Sequence, residues 1–465
     1  MPVTAHHKDY VKNRPLWDLV DDCAQGSVKV KEGGTKYLPM PNPDDDGSDD
    51  RYKVYLLRAS YVNFTGPTKT GLLGMVFRKD AVVELPTEID YLVDDASGSG
   101  LSLDQMARDA IGETIEVGRY GLLTDYPSAP PGLTAAEVQA LNLRANILPY
   151  KAKSVINWRV TQVGGISKLS LVVLVEPKEK IAADGFSVEE VIWHRVLLLV
   201  DGVYRQMLFD ENDNALLFGD EDHLTPTKAD GSTWNEIPFT FIGSQNNSPS
   251  VDKAPLLDIA DVNIAHYRNS ADFEESSFQV GQPTPVATGL NQSVIDSANK
   301  NGLMLGSRTA WVLNEGASAM LLQANPNQMP LEGMREKEGQ MVKIGARIIM
   351  DSGGNETAEA ARIRFAGSNS QLGVIVGNVQ AAFLKSFEWA AEFAGGPEDA
   401  IFELNDQFYE KTIDPQLIMA GIQLLDRGVF AETDLRWNLR RAGMISGQRT
   451  DEDIRAESER ADPLG

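Results

Sequence analysis

Three features of the sequence predict an α+β fold. Residues 254–279 and 328–350 carry apolar side chains at helical spacing, residues 280–327 between them are interrupted by proline and glycine, and residues 150–241 alternate with a period of two. The expected architecture is a mostly antiparallel sheet joined to helices, with two long helices flanking a small strand-rich lobe.

Residues 14–50 hold a short segment around Trp17, then Pro39, Pro41 and Pro43, then Asp44, Asp45, Asp46, Asp49 and Asp50. This composition predicts a solvated arm and acidic loop over residues 1–50. From Arg51 to Phe64, the spacing of Tyr52, Tyr55, Leu56, Ala59 and Val62 predicts an amphipathic helix, which Gly66-Pro67 stops before a second runs towards Phe77. Leu103 to Gly118 forms a third. Period-two runs come next at Val155–Thr161, Leu169–Val175, Trp193–Val200, Tyr204–Phe209 and Ile237–Ile242, with Asp201-Gly202 suited to a hairpin turn.

In the first long helix Leu256, Ala260, Ile264, Tyr267, Ala271 and Phe278 fall on one face, and Pro255 suits a first turn. Asp258, Asp261, Asp272 and Glu275 occupy the adjoining face. Arg268 interrupts that acidic strip, and Glu274 sits beside the apolar one. The second long helix repeats the design with Leu331, Met334, Met341, Val342, Gly345, Ile348 and Ile349, Glu338 being its misfit. Asp351 to Thr357 breaks helicity at Gly353-Gly354, and Asn355 or Thr357 can cap the next helix. That helix, over 358–394, contains Gly367, Gly373 and Gly377, each costing about 1 kcal/mol against alanine, so a kink is expected near Gly367-Ser368. Gly395-Gly396-Pro397 ends it. A strand at 401–408 and short helices at 415–427, 433–442 and 450–460 complete the chain.

At 465 residues the chain can build about two to four domains of the usual ~100–200 residues. Residues 1–13 lack the apolar core of a signal peptide, and no run approaches the roughly 18 apolar residues needed to cross a bilayer. The expectation is therefore a protein made and kept in the cytosol, with no membrane partner. The single cysteine, Cys23, permits no intramolecular disulfide. A net charge of −24 argues against tight wrapping of DNA, because affinity for phosphates comes from lysine and arginine displacing counterions. Acidic walls would let a duplex slide, although an acidic surface also simply keeps a protein soluble.

Local motifs give no catalytic site. Gly66-Pro-Thr-Lys69-Thr70 lacks the glycines that a P-loop needs immediately before the lysine and five residues earlier, where Thr68 and Asn63 stand, and reads as a helix-to-helix turn. Asp210, Asn212, Asn214 and Glu221 match EF-hand positions, but Ala215 replaces the glycine required for the sharp turn. His6, His7, His194, His223 and His266 show no metal spacing, and His266 is expected at a surface or interface of the long helix. No nucleophile-base arrangement can be assembled. Tyr52 and Tyr55 are spaced for a helix core more simply than for base stacking. The expectation is no enzyme, no metal and no cofactor.

Two long helices around a compact lobe resemble the stem and clip of a portal protein, the ring at one vertex of a tailed double-stranded DNA phage capsid. The segment Pro255-Leu-Leu-Asp-Ile-Ala-Asp-Val-Asn-Ile-Ala-His-Tyr-Arg-Asn-Ser-Ala-Asp272 resembles the stem-helix signature of one portal subfamily. Gly118-Arg-Tyr-Gly-Leu-Leu-Thr-Asp125, Pro149-Tyr150, Ile156-Asn-Trp158, Ile237-Pro-Phe239 and Glu356-Thr-Ala-Glu-Ala-Ala-Arg362 extend the match over most of the chain. Each piece is short, and their order carries the resemblance. It implies an arm (1–50), a wing (51–253), stem helices (254–279 and 328–350), a clip (280–327), a tunnel loop (351–357), a further wing segment (358–430) and a helical crown (431–465).

The resemblance also implies roles. Leu256, Ala260, Ile264, Tyr267, Ala271, Ile348 and Ile349 would pack the stem between and behind neighbouring subunits. Asp258, Asp261, Asp272 and Glu275 are the candidates to face the channel, and Asp351, Ser352, Gly353, Gly354 and Asn355 to touch passing DNA. Implied partners are copies of the chain itself, double-stranded DNA held without tight binding, the terminase large subunit, a head-tail adaptor, and the major capsid and scaffolding proteins. The implied location is the virion, after assembly in host cytoplasm. Portals are typically dodecamers, and twelve helix axes about 10 Å apart would enclose a diameter near 38 Å, or a bore of roughly 27 Å inside the helices. The alternatives are another virion ring or adaptor subunit, or a packaging ATPase, which should carry a Walker motif and a nuclease carboxylate cluster.

Overall fold

The computed structural model describes residues 2–127, 143–182, 185–281, 284–301, 313–322, 328–349, 370–406 and 408, with isolated positions beyond. Helix and sheet are mixed in the α+β manner expected.

The N-terminal region departs from the expected solvated arm. α1 (Lys8–Gln25) begins at His7, whose Nδ1 accepts from the Asp9 amide at 3.1 Å, and buries Tyr10, Trp17, Val20 and Cys23 along one face. Burial of that stripe outweighs Pro15 inside the helix. α2 (Ser27–Glu32) comes next, and residues 41–47 are exposed as predicted. The acidic run then enters α3 (Ser48–Arg58), where Asp49 and Asp50 sit in the first turn and favour the positive end of the helix dipole.

Helix α3 ends six residues before the predicted Phe64, because the backbone beyond it is held by side chains of a distant helix. Gly66 and Pro67 lie in the first turn of α4 (Thr65–Val76) instead of terminating anything. α5 (Leu103–Val117) matches its prediction, opening on a reciprocal Ser102–Gln105 capping box and closing at Gly118. Glycine is required there: φ is +76°, and a Cβ would stand 2.9 Å from the Lys253 carbonyl.

Two sheets come after these helices. β2 (Arg119–Asp125) is the central strand of three, between β3 (Asn146–Lys151) and β9 (Phe239–Gly243). Gly121 lets the Phe239 ring lie across β2, where a Cβ would approach it to 2.4 Å. β4 (Val155–Val163), β5 (Ile166–Ile181), β6 (Val188–Val200), β7 (Val203–Phe209) and β8 (Ala215–Leu216) form an antiparallel meander in chain order. Its β6–β7 hairpin turns on Asp201 (φ 52°) and Gly202 (φ 77°), the two positive values that a two-residue turn of matching twist demands.

The two long helices are α6 (Leu257–Gly281) and α8 (Met329–Ile349). Between them β10 (Thr284–Thr288) pairs antiparallel with β11 (Ser318–Leu322), and α7 (Gln292–Asn301) adds a helix that the strand-rich expectation lacked. α9 (Gln371–Ala394) starts at a Ser370 cap and ends where expected, at a left-handed Gly395. Gly373 and Gly377 lie within it. The predicted kink at Gly367-Ser368, the caps Asn355 and Thr357, most of the run 309–313 and most of 409–465 lie outside the described residues. The predicted strand at 401–408 shortens to β12 (Ile401–Glu403), paired with β1 (Val82–Glu84). One continuous core joins α1, α4, α5, β2, β9, α6 and α9, with Phe383 and Phe387 of the last helix clustered around Phe402 of β12.

Candidate functional site

The stem-like pair is antiparallel. Asn269 lies beside Gly333, His266 beside Glu338 and Ile259 beside Gly345, so positions rise on α6 as they fall on α8. Leu256, Ala260, Tyr267 and Ala271 are fully buried, and Ile264 and Ile348 nearly so. The side chain of Ile349 is outside the described residues. These faces are covered within one chain: Cys23 Sγ lies 3.8 Å from the Ala260 carbonyl, and Tyr61 packs edge-on against Tyr267 at 5.8 Å. Within one chain, α1 and the 59–65 segment pack against this face of α6.

The acidic strip divides. Tyr55 donates to Asp272 at 2.7 Å, and Arg58 to Glu275 at 2.6 Å while its guanidinium lies 3.5 Å from the centre of the Phe278 ring. Both carboxylates therefore bond to α3 of the same chain, Asp272 remaining exposed and Glu275 half-buried. Asp258 is exposed and pairs with Lys253 at 2.7 Å. Asp261 is exposed too, its carboxyl raised above the ordinary value by partial burial and by Asp258.

A buried polar seam joins α6 to residues 60–65. Asn263 Oδ1 accepts from the Tyr61 hydroxyl at 2.9 Å and from the Phe64 and Thr65 amides at 3.0 and 3.3 Å, while its Nδ2 donates to the Val62 carbonyl at 2.8 Å. One turn-pair later, the Ser270 hydroxyl donates to the Ser60 carbonyl at 2.6 Å and accepts from the Ser60 amide at 2.9 Å. These bonds satisfy a backbone that would otherwise have had to continue α3. His266 is buried, not at a surface: its Nε2 lies 3.3 Å from Glu338 Oε1, which explains the one misfit of the second helix. Sequence reasoning passed over Asn263 and Ser270, yet two polar residues seven apart on an apolar helical face were a readable signal.

The near-miss motifs are structural. Lys69 pairs with buried Glu116 beside α5. Asp210 accepts from the Asn212 and Asn214 amides at 2.8 and 2.9 Å, closing a turn on itself. No group of three or more metal-ligating side chains occurs among the described residues, and none of their helices is long and apolar enough to cross a membrane. Asp351, Ser352, Gly353, Gly354 and Asn355 lie outside the described residues.

Next to Lys69, Glu113 gives a pH prediction. Burial, then the neighbouring Glu116, pushes its carboxyl from 4.5 up to about 7. A raised acid binds its proton more tightly when folded, so its contribution to stability is present at low pH and is lost as pH rises from 4.5 through about 7. Glu113→Gln should melt above the parent at pH 8 and flatten the decline between about pH 5 and 8. A variant that melts lower at pH 8 would contradict this.

Residues 255–394 match a family model described as a domain of unknown function (DUF4055). No curated protein gives a significant match. Among solved structures, a chain from the virion of a native gene transfer agent particle is similar at 14% identity and a TM-score of 0.38, over 92% of this chain and 98% of that one. A chain from the neck of an empty gene transfer agent particle is similar at 14% identity and a TM-score of 0.39, over 87% and 92%.

Proposed function

We propose that this chain is the subunit of a portal ring, a structural conduit of the virion through which double-stranded DNA is packaged and ejected. The observation that carries the reading is the lobe between the long helices. Met320, Leu321 and Leu322 are 57%, 55% and 62% exposed in β11, so apolar side chains on both faces of a two-stranded ribbon remain uncovered in a single chain. A ribbon of that kind is marginal alone in water and is stable when further chains cover it. Long antiparallel helices that hold such a lobe away from the core, with the order of motifs from Gly118 to Arg362, support a ring with its clip at one end.

In this reading the subunit is not an enzyme. The terminase large subunit supplies the energy for DNA movement at the clip, and a head-tail adaptor later takes its place. Capsid and scaffolding proteins surround the ring. Native mass measurement and negative-stain imaging of the purified chain should show closed rings of about twelve copies, the number at which helix axes ~10 Å apart enclose a duplex. A monomer, or a two-fold dimer that grows no further, would reject the ring. The rings should also lack ATPase activity, and one abolished by Lys69→Ala would overturn the non-enzymatic assignment.

A further inference from the structure

Besides the β10–β11 lobe, two further surfaces are exposed, and they differ in charge. The first is the free end of the β5–β6 hairpin. β4 pairs with β5 only as far as Leu174, and β7 pairs with β6 only from His194, so residues 175–181 and 188–193 continue as a ribbon whose outer edges have no strand among the described residues. Ile181, Val188 and Ile192 share one of its faces and are 70%, 54% and 41% exposed. On that face Glu179 stands directly opposite Glu190, a placement of like charges that weakens a ladder. The ion pair Lys178–Glu176, at 3.2 Å, belongs to the opposite face.

The second surface is a groove of about 740 Å³ where the N-terminal residues cross the sheet. Val160, Leu171 and Pro249 line it, with Lys8 and Arg159 as its exposed cations. No carboxylate lies within ion-pair distance of either among the described residues. Arg159 makes its polar contact with the Ser170 hydroxyl, at 3.3 Å. Asp9, the acidic residue of the groove, lies 3.7 Å from the His7 ring. Behind Trp158, Arg119 adds a further positive charge, its guanidinium 4.3 Å from that ring, with Nε and Nη2 lacking acceptors among the described residues.

We infer that the ribbon of one copy docks in the groove of the next. Glu179 and Glu190 meet Lys8 and Arg159, and Ile181 and Val188 cover Val160 and Leu171. The inference rests on the ring reading and names a contact that holds the ring together. Charge complementarity selects the occupant: the groove is cationic in a chain of net charge −24, and the ribbon offers paired carboxylates that no cation among the described residues pairs with. The two surfaces lie about ten residues apart along β5, roughly 33 Å at strand spacing, so a copy that receives a ribbon leaves its own ribbon free for another. Such a heterologous contact propagates from copy to copy, and it closes as a ring when the rotation between copies divides a full turn. Two-stranded ribbons also twist more than wide sheets, which turns the docking face away from the groove of its own chain.

The test uses the full chain with Val160→Cys and Ile181→Cys together. Val160 pairs with Leu169, about twelve residues from Ile181 along β5 and ~40 Å away, whereas a disulfide needs Cα atoms within about 7 Å, so any bond formed joins two copies. Oxidation should give a ladder of covalent oligomers up to the full ring, while either single variant gives none beyond the parent. Separately, Glu179→Lys with Glu190→Lys should reduce ring yield at least tenfold, and adding Lys8→Glu with Arg159→Glu should restore it. Rings without a ladder, or rings unaffected by charge reversal, overturn the contact but leave the ring standing. Dimers that extend no further overturn the head-to-tail arrangement. A parent chain that is monomeric by native mass rejects the ring reading itself.

Discussion

Asn263→Ala should lower the stability of the chain by about 3 kcal/mol, the scale of leaving two or three buried donors and one carbonyl without partners. A side-chain carbonyl has two lone pairs, so the hydroxyl of Tyr61 at 2.9 Å and the amide of Phe64 at 3.0 Å are its main partners. The Thr65 amide at 3.3 Å and hydroxyl at 3.2 Å share what remains. Alanine leaves the Phe64 and Thr65 amides without this acceptor, while the Tyr61 hydroxyl keeps the Cys23 carbonyl at 2.9 Å, and it also deprives the Val62 carbonyl of its donor at 2.8 Å. Asn263→Asp is the sharper control, because it keeps the acceptor but loses that donor and buries a charge. Denaturant titration should place both variants below the parent, with aspartate recovering as pH falls and its carboxyl takes up a proton. Equal midpoints for alanine and the parent would show that residues 59–65 do not depend on α6 for their backbone partners.

The same seam marks where sequence reading stopped. The long helices, the capped α5, the meander and the Asp201-Gly202 turn were legible because each depends on local rules: residue period, cap chemistry and positive φ. The end of α3 at Arg58 was not, because it is set by Asn263 and Ser270, some two hundred positions away. α1 was misread for a related reason. Its Tyr10, Trp17, Val20 and Cys23 make a helical stripe, but proline and charge around them outweigh it until α6 supplies a surface to bury it on. The candidate site divides in the same way. Most inward apolar residues of α6 and α8 were readable from spacing, although Phe278 and Val342 of those faces are exposed, whereas the bonding of Asp272 and Glu275 to Tyr55 and Arg58 required knowing that α3 lies alongside.

Arg195→Met should cost about 3–5 kcal/mol, because it removes the cation from a buried cluster and leaves its carboxylates behind. Arg195 Nε donates to Glu176 Oε1 at 2.6 Å, and Nη1 donates to Asp125 at 3.2 Å and to Gln206 at 2.9 Å. Tyr150 donates to Glu176 at 2.6 Å, and Gln206 donates to Asp125 at 2.7 Å, so the cluster ties the three-stranded sheet to the meander. Burial raises the Glu176 carboxyl, but the Arg195 hydrogen bond and charge outweigh it and hold the group below its ordinary value. A depressed acid contributes stability above its ordinary pKa that is lost as pH falls through the folded value. Without Arg195 only burial and weaker partners remain, so the sign reverses for Glu176: folded protein would hold the proton more tightly, and the variant should gain stability on acidification from about pH 7 to 5. Adding Glu176→Gln should recover part of the loss at pH 7 and remove most of that gain. If Arg195→Met instead unfolds at the same denaturant concentration as the parent, or loses stability more steeply in acid, the cluster does not clamp the two sheets and the charges must be solvated where they stand.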